Sequence, residues 1–304
     1  MDTTPPPAPL THPDERALVL AGGGAAGNAW QIGLVAGLAA AGVDLTRAEL
    51  IVGTSAGSTV AAQITCGPRP AELYAAILDE APRRPSAPTG SAGPRPAVSG
   101  PSYLEWSNAV IASAADPTDM RRRMGAAALE LDRSDGSLST RWRDTVAARL
   151  PGRDWPEQRV LIAAVDARTG EPVVFDRHSG VDLVDAVAAS TSAMTPYRIG
   201  DNRYLNGGYR RSENADLAAG YGFVLVLSPF GGRSRMPSGW GMDLATQVAE
   251  LRAAGSRVLT VFPDAGSGEV FDANALDPST RQPAARGGYA QGLALADQLA
   301  DLWS

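Results

Sequence analysis

Ala17-Leu-Val-Leu-Ala-Gly-Gly-Gly-Ala-Ala-Gly27 and Glu49-Leu-Ile-Val-Gly-Thr-Ser-Ala-Gly57 are the two stretches that decide the fold of this chain. Each opens with a short, uninterrupted apolar run of the kind that fits a central strand buried on both faces. Each run ends in a glycine-rich turn, and each turn leads into an alanine-rich segment. Between Ala25 and Val43 the only side chains that are neither glycine nor apolar are Asn28 and Gln31. That segment just reaches the minimum length for crossing a bilayer, but alanine and glycine contribute little transfer free energy. A helix buried in a layered α/β protein is the better reading. Strand, glycine turn, helix, strand, sharp turn and helix in succession predict a mainly parallel sheet covered on both sides. The fold class expected is therefore α/β, a three-layer α/β/α domain with a mostly parallel central sheet and an inserted helical region.

Outward from these stretches, residues 1–16 carry Pro5, Pro6, Pro7, Pro9 and Pro13 with little to bury, which predicts a disordered tail. The remainder, 17–304, reads as one domain. An insert at about 70–150 shows helical segments at 71–78, 103–115, 119–131 and 139–150. It is interrupted at 81–101 by a run of Pro, Ser and Gly that predicts a mobile loop. Sheet signals resume at Arg159–Val165 and Pro172–Phe175, joined by a turn as in a hairpin. Further strands are expected at 203–205, 223–227 and 258–262, and helices at 181–190, 242–254 and 289–302.

Composition narrows the function classes. All 27 basic residues are arginine against 33 acidic ones, a net charge of −6, which gives no phosphate-neutralising footprint and argues against a nucleic-acid partner. Cys66 is the only cysteine, so no intrachain disulfide forms, and with no basic or histidine neighbour it reads as a small buried hydrophobe. The start of the chain lacks a basic region followed by an apolar run, so no secretory signal is expected and the location expected is cytoplasmic. With His12 in the tail and His178 in a turn-like segment, a histidine-rich metal site is not expected, and neither a metal nor an organic cofactor is implied.

Gly22-Gly-Gly-Ala-Ala-Gly27 sits between a strand and a helix, where backbone amides point outward into positive potential and hold an anion. Gly22, Gly24 and Gly27 also match a dinucleotide fingerprint, but that fingerprint expects an acidic residue at the end of the second strand. The second strand ends Val52-Gly53-Thr54, with Glu49 at its beginning, on the wrong side of the sheet. Gly53-Thr-Ser55-Ala-Gly57 is a G-x-S-x-G nucleophile elbow in the strand-to-helix setting an elbow needs, with Gly53 and Gly57 making room for the strained turn. Adjacent parallel strands would then present a serine oxygen and a row of free amides at one sheet edge, the pairing acyl transfer requires. No histidine follows His178, so a triad ending in histidine is improbable and a serine paired with a carboxylate remains.

Taken with Ala189-Ser-Thr-Ser-Ala-Met194, Tyr204-Leu-Asn-Gly-Gly208 and Asn214-Ala-Asp-Leu217, these motifs resemble the patatin-like phospholipases, or lipid acyl hydrolases, from about Ala17 to about Pro229. The resemblance implies a Ser-Asp dyad without histidine, an oxyanion hole from the glycine turn, and acyl esters or phospholipids as substrates, taken from a membrane or micelle surface. Carried onto this chain, Ser55 is the nucleophile and the amides of Gly22, Gly23, Gly24 and Ala25 are the oxyanion donors. Ala26 replaces the family's usual basic residue in the turn. More consequentially, the dyad aspartate that opens the family's Asp-Gly-Gly motif is here Asn206.

An amide has nearly the shape of a carboxylate but accepts no proton at neutral pH. Three readings of Asn206 follow: an engineered trap for an acyl group, a natural acyl-binding pseudoenzyme, or a substitute carboxylate drawn from Asp201, Glu213 and Asp216. An acyl transferase or cyclase in small-molecule synthesis is a further alternative to hydrolysis. Arg210 and Arg211, directly after the Asn-Gly-Gly turn, are candidate contacts to a substrate phosphate, with pairing to Glu213 or Asp216 the plainer reading. Arg121–Arg123 reads as a solvated helix face, and Trp106, Trp142 and Trp155 as packing residues or an acyl-chain wall.

Overall fold

The computed structural model describes residues 10–81, 100–132, 135–267, 270–272 and 274–303. In chain order the elements are β1 (His12–Leu20), α1 (Gly24–Ala40), β2 (Leu50–Gly53), α2 (Ala56–Thr65), α3 (Pro70–Leu78), α4 (Gly100–Ser113), α5 (Pro117–Leu131), α6 (Ser137–Ala147), β3 (Arg159–Asp166) and β4 (Pro172–Phe175). They continue with α7 (Leu183–Ser190), β5 (Tyr197–Ile199), β6 (Asn202–Asn206), β7 (Tyr221–Leu227), α8 (Leu244–Ala253), β8 (Arg257–Val261) and α9 (Arg281–Trp303).

Strands β3, β2, β1, β7 and β8 pair in parallel, in that order, because each crossover carries helices that cover the sheet. The strands β4 and β6 both join β3 antiparallel, and β5 pairs with β6. Register places these additions. Ile162 pairs with Gly53 of β2 and with Phe175 of β4, so those strands lie on opposite edges of β3. Ala164 pairs with Val173 of β4 and with Asn206 of β6, which puts β6 on the same edge as β2. Strands β2 and β6 therefore enter one column of the sheet from opposite ends.

Alternation along β1 sorts the core. Leu18 and Leu20 face a cluster built with α1, α2, α7 and α9, while Ala17 and Val19 face Leu244, Val248 and Leu251 of α8. A third cluster seats Met120 and Met124 of α5 and Ile111 of α4 on Val165, Leu205 and Tyr209, so the helical insert packs over the antiparallel side of the sheet. The three-layer α/β/α arrangement with a mostly parallel sheet is as the apolar runs predict. Ala26 through Leu38 of α1 are buried, and no helix among the described residues is long and apolar enough to cross a membrane.

Three expected boundaries need correction. Strand β1 starts at His12, so 12–16, expected in the tail, belong to the sheet; residues 1–9 lie outside those described. The His12 ring stacks on Tyr221 with centroids 4.7 Å apart, and the ladder to β7 shifts between His12 and Arg16, where Pro13 has no N–H to give. Arg16 is fixed by Glu49, with Nη2 to Oε1 at 2.8 Å. Gly100 and Pro101, expected in the mobile loop, open α4; residues 82–99 lie outside those described. Helix α9 starts at Arg281 rather than 289, because its glycines mark a close approach instead of a break: a Cβ on Gly288 would lie 2.2 Å from the carbonyl oxygen of Trp30. Pro283 falls in the first turn, where an N–H has no helical partner to lose.

The same approach, seen from α1, is testable. A Cβ on Gly33 would lie 2.1 Å from the Ala285 carbonyl oxygen, whereas one on Gly239 meets nothing within 4 Å. In urea unfolding, Gly33→Ala should lose about 1–3 kcal/mol by overpacking and Gly239→Ala less than about 0.5 kcal/mol. Equal losses would mean that α1 and α9 are not seated backbone to backbone.

Candidate active site

Strand β2 ends at Gly53 and α2 begins at Ala56, leaving Thr54 and Ser55 to turn the chain. Ser55 has φ 51° and ψ −121°, and with Asn214 it is one of the two described non-glycine residues with positive φ. Such a conformation costs on the order of 1–3 kcal/mol and persists only where its surroundings hold it. They do so here: Ser55 N–H donates to Ser190 Oγ at 2.9 Å, and Thr54 N–H to the Leu20 carbonyl at 3.0 Å. The turn also folds onto β1 so tightly that a Cβ on Gly57 would lie 1.9 Å from Leu20 O, which explains the glycine.

The glycine turn after β1 reaches the same place. A Cβ on Gly22 would lie 3.3 Å from Ser55 Cβ and 3.9 Å from Ser55 Oγ. Gly24 has φ +62°, which turns the chain into α1, and Ala26 and Gly27 N–H donate to Ala275 O and Gly23 O. The N–H groups of Gly24 and Ala25, at the first turn of α1, donate to no acceptor among the described residues. Gly22, Gly23, Gly24 and Ser55 line one cavity of about 470 Å³. The serine and the Gly22–Gly24 turn with its free Gly24 amide thus share the carboxyl edge of two neighbouring parallel strands, while Ala25, expected as a fourth donor, does not line the cavity.

Asn206, the last residue of β6, arrives from the opposite end of that column. Its Nδ2 donates to Ser55 Oγ at 3.0 Å and to Ser192 O at 3.2 Å, while its Oδ1 accepts from Gly208 N–H at 2.9 Å. Chemistry fixes the amide's orientation, since a backbone N–H only donates and a backbone carbonyl only accepts. Ser55 Oγ is therefore an acceptor toward position 206, and its own proton points elsewhere. A carboxylate at 206 would keep the Gly208 contact but bring its second oxygen beside the Ser192 carbonyl oxygen.

The other sequence candidates divide clearly. Glu213 lines the cavity and is 3% exposed; its carboxyl accepts from Ser228 Oγ at 3.0 Å and is in short contact with Ser212 Oγ, and burial pushes its pKa up. Asp201 is exposed in the β5–β6 turn. Asp216 is held by Arg210 at 2.7 Å, Arg211 pairs with Glu250 at 2.6 Å, and none of these residues lines the cavity. The plainer reading of the two arginines, as ion-pair formers, is the one that matches this geometry, with Glu250 added as a partner. His178 is exposed, His12 lies on β1 at Tyr221, and neither lines the Ser55 cavity. Cys66 is half-buried against the core, and burial raises its thiol pKa. Trp142 and Trp155 donate to Ala188 O and Val181 O and pack on the core, and no tryptophan lines the cavity. Among the described residues no three His, Cys, Asp or Glu side chains gather as metal ligands.

Sequence reasoning missed the cavity wall. It comes from Tyr103 and Leu104 of α4, from Phe230 and Arg233–Met236 after β7, and from Phe271, Ala275 and Leu276. Tyr103 Oη lies 2.8 Å from Tyr209 Oη, and Arg235 donates to Asn108 Oδ1 at 3.0 Å with its guanidinium 5.6 Å from the Tyr103 ring centre. Arg233 donates to Phe230 O and Phe271 O. Neither Arg233 nor Arg235 has a carboxylate within 4.0 Å among the described residues, and both are exposed at the cavity mouth. One available signal was position: the segment from Ser228 follows the carboxyl end of a parallel strand, where ligands of such sheets bind.

No curated protein matches the sequence. Among solved structures, VipD from Legionella pneumophila is similar at 14% identity and TM-score 0.45, covering 94% of this chain and 67% of that one. The type III effector protein ExoU is similar at 15% identity and TM-score 0.34, covering 92% of this chain and 53% of its own. This chain thus spans about two thirds of the first and about half of the second. Residues 18–219 match the family model described as patatin-like phospholipase. That span runs from β1 past β6 and takes in Ser55, the glycine turn and Asn206, and on it the chain belongs to the patatin-like phospholipase family.

Proposed function

We propose that this protein is a serine esterase that forms an acyl-enzyme on Ser55 from a lipid or other acyl ester. The observation that carries the reading is the meeting of Ser55 with the Gly22–Gly24 turn, whose Gly24 amide is unpaired among the described residues, in one cavity. The acyl carbon is attacked by Ser55 Oγ, and the negative charge that develops on the carbonyl oxygen is met by amides already aimed at it, without reorganisation. Leu104, Phe230, Met236, Phe271 and Leu276 supply apolar wall for an acyl chain. Substrate would be taken from a lipid surface. A second reading, an acyl-binding pseudoenzyme, is favoured by Asn206, whose amide donates to the nucleophile instead of accepting its proton.

Asn206→Asp separates the two. In the esterase reading the native chain and the variant both hydrolyse p-nitrophenyl butyrate and a fluorophosphonate labels Ser55 in both, whereas turnover that appears only in the variant, a gain of about 10²–10⁴-fold from a positioned acid/base group, marks the native chain as the pseudoenzyme. Silence in both proteins, or a label on another residue, would count against the esterase reading.

The cavity mouth bears on substrate class. Arg233 and Arg235 are oriented by neutral acceptors and free of carboxylates, so they suit an anionic group at the far end of an acyl ester. Replacing both by alanine should lower kcat/KM for an acyl ester bearing a phosphate or carboxylate by about 10-fold or more, from the loss of charge-assisted hydrogen bonds. A neutral p-nitrophenyl ester should be affected far less, and equal losses on both would refute a head-group role.

A further inference from the structure

We propose that Glu213 takes the Ser55 proton in this chain, a role that position 206 as asparagine does not fill; the inference rests on the esterase reading above.

Placement is the first argument. The main-chain carbonyl of Glu213 accepts from Thr54 Oγ1 at 3.2 Å, next to Ser55, and its carboxyl accepts from Ser228 Oγ, the first residue beyond β7. Strand β1 lies between β2 and β7, so Glu213 spans the end of β1, where the glycine turn leaves the sheet. It lines the cavity together with Gly22 and Ser55.

Its surroundings are the second argument. A buried carboxyl is normally paired with a cation, because an unpaired buried charge is costly. None lies within 4.0 Å of Glu213 among the described residues, and Arg210 and Arg211 on its own segment are committed to Asp216 and Glu250. Facing it are the Ser212 and Ser228 hydroxyls, and Asp243, ahead of α8, is the neighbouring charge that acts on it. Burial and Asp243 both raise its pKa, and a carboxyl so tuned holds a proton closer to neutral pH than an ordinary one. Of the carboxylates near Asn206 in sequence, Asp201 is in solvent and Asp216 is bound by Arg210, which leaves Glu213.

The proton account closes. As the Ser55 oxygen bonds to the acyl carbon, its proton passes through one cavity water to the Glu213 carboxylate, and the carbonyl electron pair moves onto the oxygen held at the glycine turn by the Gly24 amide. Collapse breaks the bond to the alcohol oxygen, which takes the proton from Glu213. A second water then gives its proton to Glu213 and its hydroxide to the acyl carbon, and Ser55 leaves with that proton restored.

The test is a cycle of four full-length proteins: native, Glu213→Gln, Asn206→Asp and the double variant. Each is checked by thermal melting and assayed for p-nitrophenyl butyrate turnover and for the rate of fluorophosphonate labelling at Ser55. Glu213→Gln should cost the native chain about 10²-fold in both rates. In the Asn206→Asp background, where another carboxylate touches Ser55, the same change should cost at least tenfold less. The native rate should rise with pH as Glu213 ionises, through a limb displaced above the ordinary carboxylate range, and that limb should vanish in Glu213→Gln. Equal losses in both backgrounds mean a structural role and overturn the proposal. So does a native chain that neither turns over nor labels while Asn206→Asp does both, a result that favours the pseudoenzyme reading, whereas equal losses leave the esterase reading standing. Silence of all four proteins rejects the esterase reading, and this inference with it.

Discussion

Strand β2 is four residues long and β3 is eight, and the site depends on that mismatch. Where β2 stops at Gly53, opposite Ile162, β3 continues with an open edge, and β6 fills it from the other end as far as Asn206, opposite Ala164. Two strands heading toward each other in one column leave their next residues face to face, which is how Ser55 and Asn206 come within 3.0 Å although 151 positions separate them. The arrangement tolerates little error. A one-residue slip of β6 would send Asn206 to the other face of the sheet. Extending β2 by a turn's length would occupy the space that β6 uses. The strained Ser55 backbone is held because β1 lies against it through Gly57 on one side and Ser190 caps its N–H on the other.

What could be read from the sequence follows from how local each constraint is. The central strands are legible because burial on both faces demands continuous apolar residues, and the elbow and glycine turn because their backbones exclude side chains. Ser55 and the glycines are legible on that ground, Asn206 only through the family resemblance, and the structure brings Asn206 to Ser55. The cavity wall was not legible, since Tyr103, Phe230 and Phe271 are ordinary apolar residues made neighbours only by the packing of α4 and of the segments after β7 and β8. Arg210 and Arg211 carry two readings in the sequence, a substrate contact from adjacency to the Asn-Gly-Gly turn and the plainer one of ion pairing, and the geometry matches the second, with Asp216 and Glu250 neutralising them. The N-terminal part of β1 and the start of α9 were missed because proline and glycine usually punctuate, whereas here Pro13 sits at a shift in the ladder and Gly288 at a helix contact.

Position 206 shows how closely the polar groups at the edge of a sheet are matched. The asparagine has one acceptor and one donor group in use: its oxygen meets a backbone N–H, and its nitrogen bridges a hydroxyl and a backbone carbonyl. Every one of those contacts is complementary, so nothing about the residue is strained or unsatisfied. A carboxylate would surrender the contact to Ser192 O and face a carbonyl dipole with its negative end forward, which disfavours its charged form and raises its proton affinity. The effect would improve a base and cost stability together. Asparagine removes that cost, and with it the proton acceptor at the strand end.

Removing charge from 206 does not empty the site of charge. Glu213 keeps a carboxyl in the cavity without a cation beside it, held by serine hydroxyls that solvate it only in part. Were that side chain only a spacer between β1 and β7, glutamine would accept the same hydroxyl contacts without the penalty of ionisation. A buried acid retained at such a cost, at the edge where the nucleophile and the amides meet, is accounted for if its proton is used. The elbow, the glycine turn and Glu213 then divide the chemistry among the ends of three adjacent strands: the nucleophile after β2, the anion site after β1, and the proton acceptor anchored at β7.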